Sequence, residues 1–177
     1  MKQDEIQPIL TKKIDNVLEI LKQKNLTTSK KGEQIIKIID EVFDYELMAR
    51  IALGKETWDT LSEQKQKEFT KTFETKLKNS YIEKLELYND QKVKVIGLNP
   101  YKNGRLQLET ELLGKEGTYK INYNFYNKAK DGEQWLIYDV DLVGVSIIQT
   151  YRQQFAGLLK EKTFDQMLAL LENPNTK

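Results

Sequence analysis

Along the first ninety residues the apolar positions recur at helical spacing, and after that they alternate. Ile6, Leu10, Ile14, Val17, Leu18 and Leu21 mark one face of an amphipathic helix ending near Asn25. The polar stretch TTSKKG (27–32) reads as a break, and Ile35, Ile36, Ile38, Ile39, Val42 and Phe43 then form a second apolar helical stretch. A short third helix covers YELMARIAL and stops at Gly54, where a residue without Cβ accepts the left-handed backbone of a helix end. Thr60 and Glu63 have the spacing of a capping box. They open a helix of about 28 residues, roughly 40 Å, carrying Leu61, Phe69, Phe73, Leu77, Tyr81, Leu85 and Tyr88 as a stripe.

Beyond Asn89-Asp90 the period shortens to two. KVKVIGL, GRLQLETELL, TYKINYNFYNK and QWLIYDVDL alternate polar with apolar residues, separated by the turn-like segments NPYKNG, GKEG and KAKDGE. Such strands with short connections predict an antiparallel meander of about four strands with one wet and one buried face. The last strand runs through Gly144 into a helix bearing Val145, Ile148, Tyr151, Phe155 and Leu159, and Thr163 with Gln166 offers a second capping box for a closing helix before the frayed tail NPNTK. The expected fold class is α+β, a single domain over 1–177: helical over 1–90, sheet over 91–143, C-terminal helices over 144–172. An antiparallel sheet covered by several amphipathic helices encloses either a solid core or a cavity.

Composition narrows the chemistry. Lys plus Arg number 28 against 27 Asp plus Glu, which leaves no basic excess for nucleic acid. The chain has no cysteine and no histidine, so disulfides, thiolate nucleophiles, Cys/His metal sites and imidazole-dependent triads are excluded. No apolar run reaches the roughly 20 residues of a membrane span, and MKQDEIQPIL lacks the apolar core of a signal peptide.

Few constellations suggest catalysis. Asp139 and Asp141 share a strand face at roughly 7 Å, as a paired acid and base would. Glu109 and Glu111 repeat that spacing opposite Leu106, Leu108, Thr110 and Leu112, which places both pairs on a solvated face. KNGRLQ and LLGKEGTYK do not open into helices as phosphate loops do. The aromatic residues Phe43, Trp58, Phe69, Phe73, Tyr81, Tyr123, Phe125, Trp135, Tyr151 and Phe155 lie on or beside apolar stripes, whose ordinary meaning is core. Together they supply more apolar faces than one small sheet needs.

FDYELMARIALGKETWDTLSEQKQKEFTKTFETKLKNSYIEKLELY (43–88) resembles the central helical signature of the MlaC family, also known as toluene-tolerance auxiliary proteins. WLIYDVDLVGVSIIQTYRQQF (135–155) resembles its second signature, through Trp135, Tyr138-Asp139-Val140, Gly144-Val145-Ser146, Tyr151-Arg152 and Gln154-Phe155, and FDQMLALL its terminal helix. The resemblance implies a periplasmic phospholipid carrier, its export signal removed, that shuttles lipid between an outer-membrane lipoprotein complex and an inner-membrane ABC transporter with its substrate-binding subunit. Such a carrier maintains outer-membrane lipid asymmetry. It is no enzyme and has no catalytic residue, metal or cofactor; phospholipid is its cargo. The expected lipid-lining set comprises Ile148, Tyr151 and Phe155 on one helix face with Phe73, Leu77 and Tyr81 from the long helix. Phe43, Met48, Leu106, Leu108, Tyr123, Phe125, Ile137 and Val145 complete it. The competing expectation is an NTF2-like small-ligand binder or enzyme using a sheet carboxylate as base.

Overall fold

The computed structural model describes residues 1–173, so the tail beyond Asn173 lies outside the described residues. Helices come first: α1 (Gln3–Lys22), α2 (Thr28–Ile39), α3 (Tyr45–Leu53), α4 (Lys55–Thr60) and α5 (Glu63–Lys84), the last followed by a 3-10 turn at Leu85–Leu87. The sheet follows as β1 (Lys92–Tyr101), β2 (Arg105–Gly114), β3 (Gly117–Asn127), β4 (Trp135–Leu142) and β5 (Val145–Ser146), and the chain closes with α6 (Ile147–Glu161) and α7 (Phe164–Glu172). The strands pair in sequence order, each antiparallel to the next, in one five-stranded sheet. The expected α+β meander is present, with the two-residue β5 as an added edge.

Local chemistry explains where the helices begin, and in two places it differs from the sequence expectation. TTSKKG is no break: Thr27 caps α2 by accepting from the Lys30 N–H at 3.2 Å, and the rest of the segment is helical. Gly32 sits inside that helix because a Cβ there would stand 2.8 Å from Ile82 Cγ1, so the missing side chain lets α2 lie close against α5. Thr60 does not cap α5 either. Positive φ at Gly54 (93°) permits the extra helix α4, which ends at Thr60 with its hydroxyl donating to the Thr57 carbonyl at 2.6 Å. Ser62 is the cap, accepting from the Lys65 N–H at 3.2 Å. The helix α5 is accordingly 22 residues long, shorter than expected. At α7 the expected capping box is present: Thr163 and Gln166 each accept from the other's backbone N–H.

The sheet departs from strict alternation twice. Ile96 is an extra residue between Val95 and Gly97 on β1, and Tyr138 is an extra residue on β4, opposite the step from Asn124 to Phe125. The second bulge has a large effect, because it puts Trp135, Ile137, Val140 and Leu142 on one face of β4 although Ile137 and Val140 are three residues apart. That face joins Leu106, Leu108, Ile121, Tyr123 and Phe125 and is covered by Ile6 and Leu10 of α1 and by Val42. Only those two apolar positions of α1 are buried.

A second apolar cluster lies among the helices. Met48, Ala49, Ala52 and Leu53 of α3, Trp58 of α4, Phe69, Phe73 and Leu77 of α5, Ile148 and Phe155 of α6, and Met167 and Leu168 of α7 make it up. Phe69 and Phe73 meet Phe155 edge-on, at centroid distances of 5.7 and 6.2 Å. Phe43 and Ile147 pack against both clusters. They mark a seam where the helical core meets the sheet core.

Candidate functional site

The seam opens to the surface as a groove of about 1000 Å³ between α5, α6, α7 and the end of the β4–β5 hairpin. Its floor is apolar, formed by Leu77, Leu142, Ile147 and Leu171 with Tyr81 and Tyr151. Its rim carries the polar face of α5, including Lys71, Lys76, Lys84, Glu68 and Glu83. Both signs of charge are present there.

The wall formed by α6 is fixed at its first turn. Val143 and Gly144 reverse the chain between Leu142 and Val145, and both have positive φ, 51° and 80°, the sign pattern of a type I′ hairpin turn. Ser146 then caps α6 by accepting from the Gln149 N–H at 3.1 Å. The Ser146 hydroxyl donates to Asp139, whose other carboxylate oxygen accepts from the Ile148 N–H at 3.1 Å and the Val140 N–H at 2.8 Å. Asp139 is only 7% exposed, which corrects its expected place on a solvated face. The reason is the hairpin, which folds β5 and the start of α6 back over that carboxylate. Burial raises its pKa; the Ser146 and backbone donors oppose the rise without cancelling it. Asp141, by contrast, is half-buried on the polar face, where Gln107 and Asn124 approach one of its oxygens at 3.4 and 3.3 Å. The two acids therefore have different partners and do not form a joint acid–base site.

The expected lining residues fall into three groups. Met48, Phe73, Ile148 and Phe155 are buried in the helical core, each at most 1% exposed. Leu106, Leu108, Phe125 and Ile137 are buried in the sheet core, with half-buried Tyr123 beside them and Phe43 at the seam. Leu77, Tyr81, Tyr151 and Val145 line the groove itself, Val145 at its lip with 59% of its surface exposed. Sequence reasoning did not single out Leu142, Ile147 or Leu171. Leu142 follows from the β4 bulge, which alternation cannot reveal. Ile147 is the neighbour of an expected residue, displaced about 100° around the helix.

Two tyrosines, Tyr81 and Tyr151, line the groove, and Tyr123 lies on the adjoining face of the sheet core. Tyr123 pairs with Val140 across the strands, one step from Leu142, and Tyr81 interacts electrostatically with Tyr151, Tyr123 and Asp139. Burial raises the pKa of all three, that of Tyr123 to about 12. The Tyr151 ring meets Phe73 edge-on at 5.3 Å, and its hydroxyl is hydrogen-bonded with Ser80.

This geometry defines an α+β domain with an apolar groove running between a helical layer and a sheet. The chain belongs to the MlaC family, whose model, described as MlaC protein, matches residues 11–173. It is 24% identical over 122 residues to the "Intermembrane phospholipid transport system binding protein MlaC" of Haemophilus influenzae, a match covering 68% of this chain and 56% of that relative, so the alignment spans little more than half the relative's length. Among solved structures it resembles the phospholipid-binding protein from Ralstonia solanacearum in complex with a phospholipid, with a TM-score of 0.78, 20% identity and 94% of each chain covered.

Proposed function

We propose that this protein is a periplasmic phospholipid carrier. In this role it takes lipid between an outer-membrane lipoprotein complex and an inner-membrane ABC transporter with its substrate-binding subunit, and so maintains outer-membrane lipid asymmetry. The observation that carries the proposal is the groove at the seam between two apolar cores, in a chain of the MlaC family. The relative's name and the lipid in the solved structure support the same cargo.

Physical chemistry supplies the need. Burying acyl chain is worth about 0.8 kcal/mol per CH₂, so two long chains hold a phospholipid in its bilayer by on the order of 20 kcal/mol. A carrier lowers that barrier by offering both chains an apolar lining throughout transfer. Here the tails enter along the seam, between Leu77 and Ile147 on the helical side and Leu142 on the sheet side, while the mixed-charge rim leaves the headgroup in water. No bond is made or broken, and no cofactor or metal is needed. Among the described residues no helix is long and apolar enough to cross a membrane, which fits a carrier that moves between two of them.

Organic extraction of protein purified from the periplasm of a bacterial host, followed by mass spectrometry, tests the proposal. One diacyl phospholipid per chain is the expected result. A nucleotide, sugar or metal in its place, or an empty protein after gentle purification, would overturn it.

A further inference from the structure

Among the described residues six large apolar side chains are exposed, and four of them, Leu113, Tyr119, Val143 and Val145, sit at one end of the sheet. Strand register brings them together. Leu112 pairs with Tyr119 and Leu113 with Thr118 where β2 turns into β3, the Val143 N–H donates to the Lys120 carbonyl at 2.9 Å, and Leu142 pairs with Val145 across the β4–β5 turn. Val93 and Leu112, in one row with Tyr119, are only half-buried and belong to neither apolar cluster. This end is also the mouth of the groove, because Leu142 and Val145, on either side of the Val143-Gly144 turn, line it.

Three observations say what this end meets. Val143 is β-branched and has a φ of 51°, so its backbone is strained, and its exposed side chain recovers nothing by packing. Strain of this kind gathers at functional positions. The charges nearly balance, with Lys92, Lys94, Lys115 and Lys120 against Asp90, Glu111 and Glu116, so neither an acidic nor a basic partner is selected. The exposed set, three aliphatic side chains and a tyrosine, lacks the Trp and Arg that anchor protein interfaces, and it stands on two separate turns. A fluid acyl layer fills such relief. Tyrosine suits the boundary between acyl chains and headgroups, and lysines there keep their ammonium groups in water. We propose that the β2–β3 and β4–β5 turns insert into the surface of a phospholipid bilayer, Val143 and Val145 entering the acyl layer, so that the groove mouth opens directly against the membrane. Lipid then passes along Leu142 and Val145 into the groove without its tails crossing water. This rests on the carrier function proposed above and adds the bilayer itself as a docking partner.

Co-flotation of the full chain with protein-free vesicles of phosphatidylcholine, with and without phosphatidylglycerol, tests the contact. Binding to both, little changed by salt, is the expected result. Withdrawing one valine from an apolar layer weakens partitioning on the order of tenfold. Val143→Asn relieves the backbone strain and leaves the groove lining intact, so it should fold at least as well, keep its phospholipid on extraction, and bind vesicles about tenfold more weakly. Leu113→Asn, on the other turn, should also weaken binding. Ile96→Asn, on the border strand farthest from the β4–β5 turn, should leave it unchanged. Unmodified protein that does not float, or Val143→Asn protein that floats equally well, would overturn the proposal. So would binding that requires phosphatidylglycerol and vanishes in salt, which would assign it to the lysines. Dimers in sedimentation that Val143→Asn abolishes, without vesicle binding, would assign this end to a second copy and overturn it as well. Protein that fails to float yet yields phospholipid on extraction keeps the carrier function and loses this contact; protein that floats but yields none keeps the contact and loses the carrier function.

Discussion

Asp139 and Asp44 are both 7% exposed, yet the fold moves their acidities in opposite directions. Burial is the largest influence on each. At Asp44 it is outweighed by the Tyr126 hydroxyl, the Leu47 N–H and Lys128 at 3.2 Å, which hold the carboxyl below its usual range. At Asp139 a hydroxyl and two backbone N–H groups face the carboxylate with no cation among its partners, and the pKa stays raised. The signs of their contributions to stability follow. The Asp44 contribution is present above the unfolded value near 3.8 and is lost as pH falls through its lower folded value. The Asp139 contribution is fully present below 3.8 and is lost as pH rises through its raised folded value. Denaturant unfolding should therefore show wild type gaining stability relative to Asp139→Asn as pH is lowered from 7 towards 4, and losing stability relative to Asp44→Asn as pH is lowered further. Asp139→Ala should cost about 2–3 kcal/mol at pH 7, since the Ile148 N–H and Ser146 hydroxyl lose their acceptor, and should loosen the first turn of α6. None of this was legible from the sequence, because an acid in an alternating strand looks the same whether water or a returning hairpin covers it.

Among the elements, the β4–β5 hairpin carries strain that its neighbours do not. A β-branched residue at positive φ is a genuine outlier, and Val143 occupies that position with 64% of its surface exposed, so little packing compensates. Val143→Asn places a residue suited to that backbone and should stabilise the protein by about 1 kcal/mol, raising Tm by roughly 2–4 °C. A calorimetric scan of delipidated protein checks it; a lowered Tm would mean that the valine packs better than its exposure indicates. Elsewhere the sequence signalled element types well and boundaries unevenly. The Thr163–Gln166 box could be read directly because both partners are local. Thr60–Glu63 had the same spacing and misled, since the helix that starts after Gly54 takes in Thr60 and leaves Ser62 to cap the one that begins at Glu63. Gly32 looked like a breaker because its reason for being glycine, the close approach of Ile82, lies fifty residues away.

At the scale of the whole molecule, the change from helical period to alternation at residue 90 was enough to give the α+β class, and the aromatic stripes identified most of the apolar interior. What the stripes could not show was that this interior has two parts. A stripe records that a face is covered; it does not record by which partner, and Ile148 and Ile147 differ by one position yet meet the helical core and the seam respectively. A ligand seated in the seam couples the two cores, so lipid should stabilise the folded protein as a whole. At a free lipid concentration a hundredfold above Kd, linkage adds about 2.7 kcal/mol, which for a chain of this size raises Tm by roughly 5–10 °C. Scanning fluorimetry of delipidated and reloaded protein measures the difference; identical transitions would argue that the groove is a surface feature with no energetic tie to the cores.

The first strand of the sheet has a consequence for how the protein behaves in a crowd. β1 pairs only with β2, so its other side is a row of backbone groups with no strand partner among the described residues. It also contains the bulge at Ile96, a proline at Pro100, which has no N–H to offer, and the exposed lysines Lys92 and Lys94. Each of these discourages another chain from adding a strand. A molecule whose working interior is apolar thus presents a sheet border on which fibrils and strand-swapped dimers do not readily start. Smoothing that border by deleting Ile96 and replacing Lys94 with Val should produce, in size-exclusion chromatography, assemblies larger than those of the unmodified protein that grow with concentration.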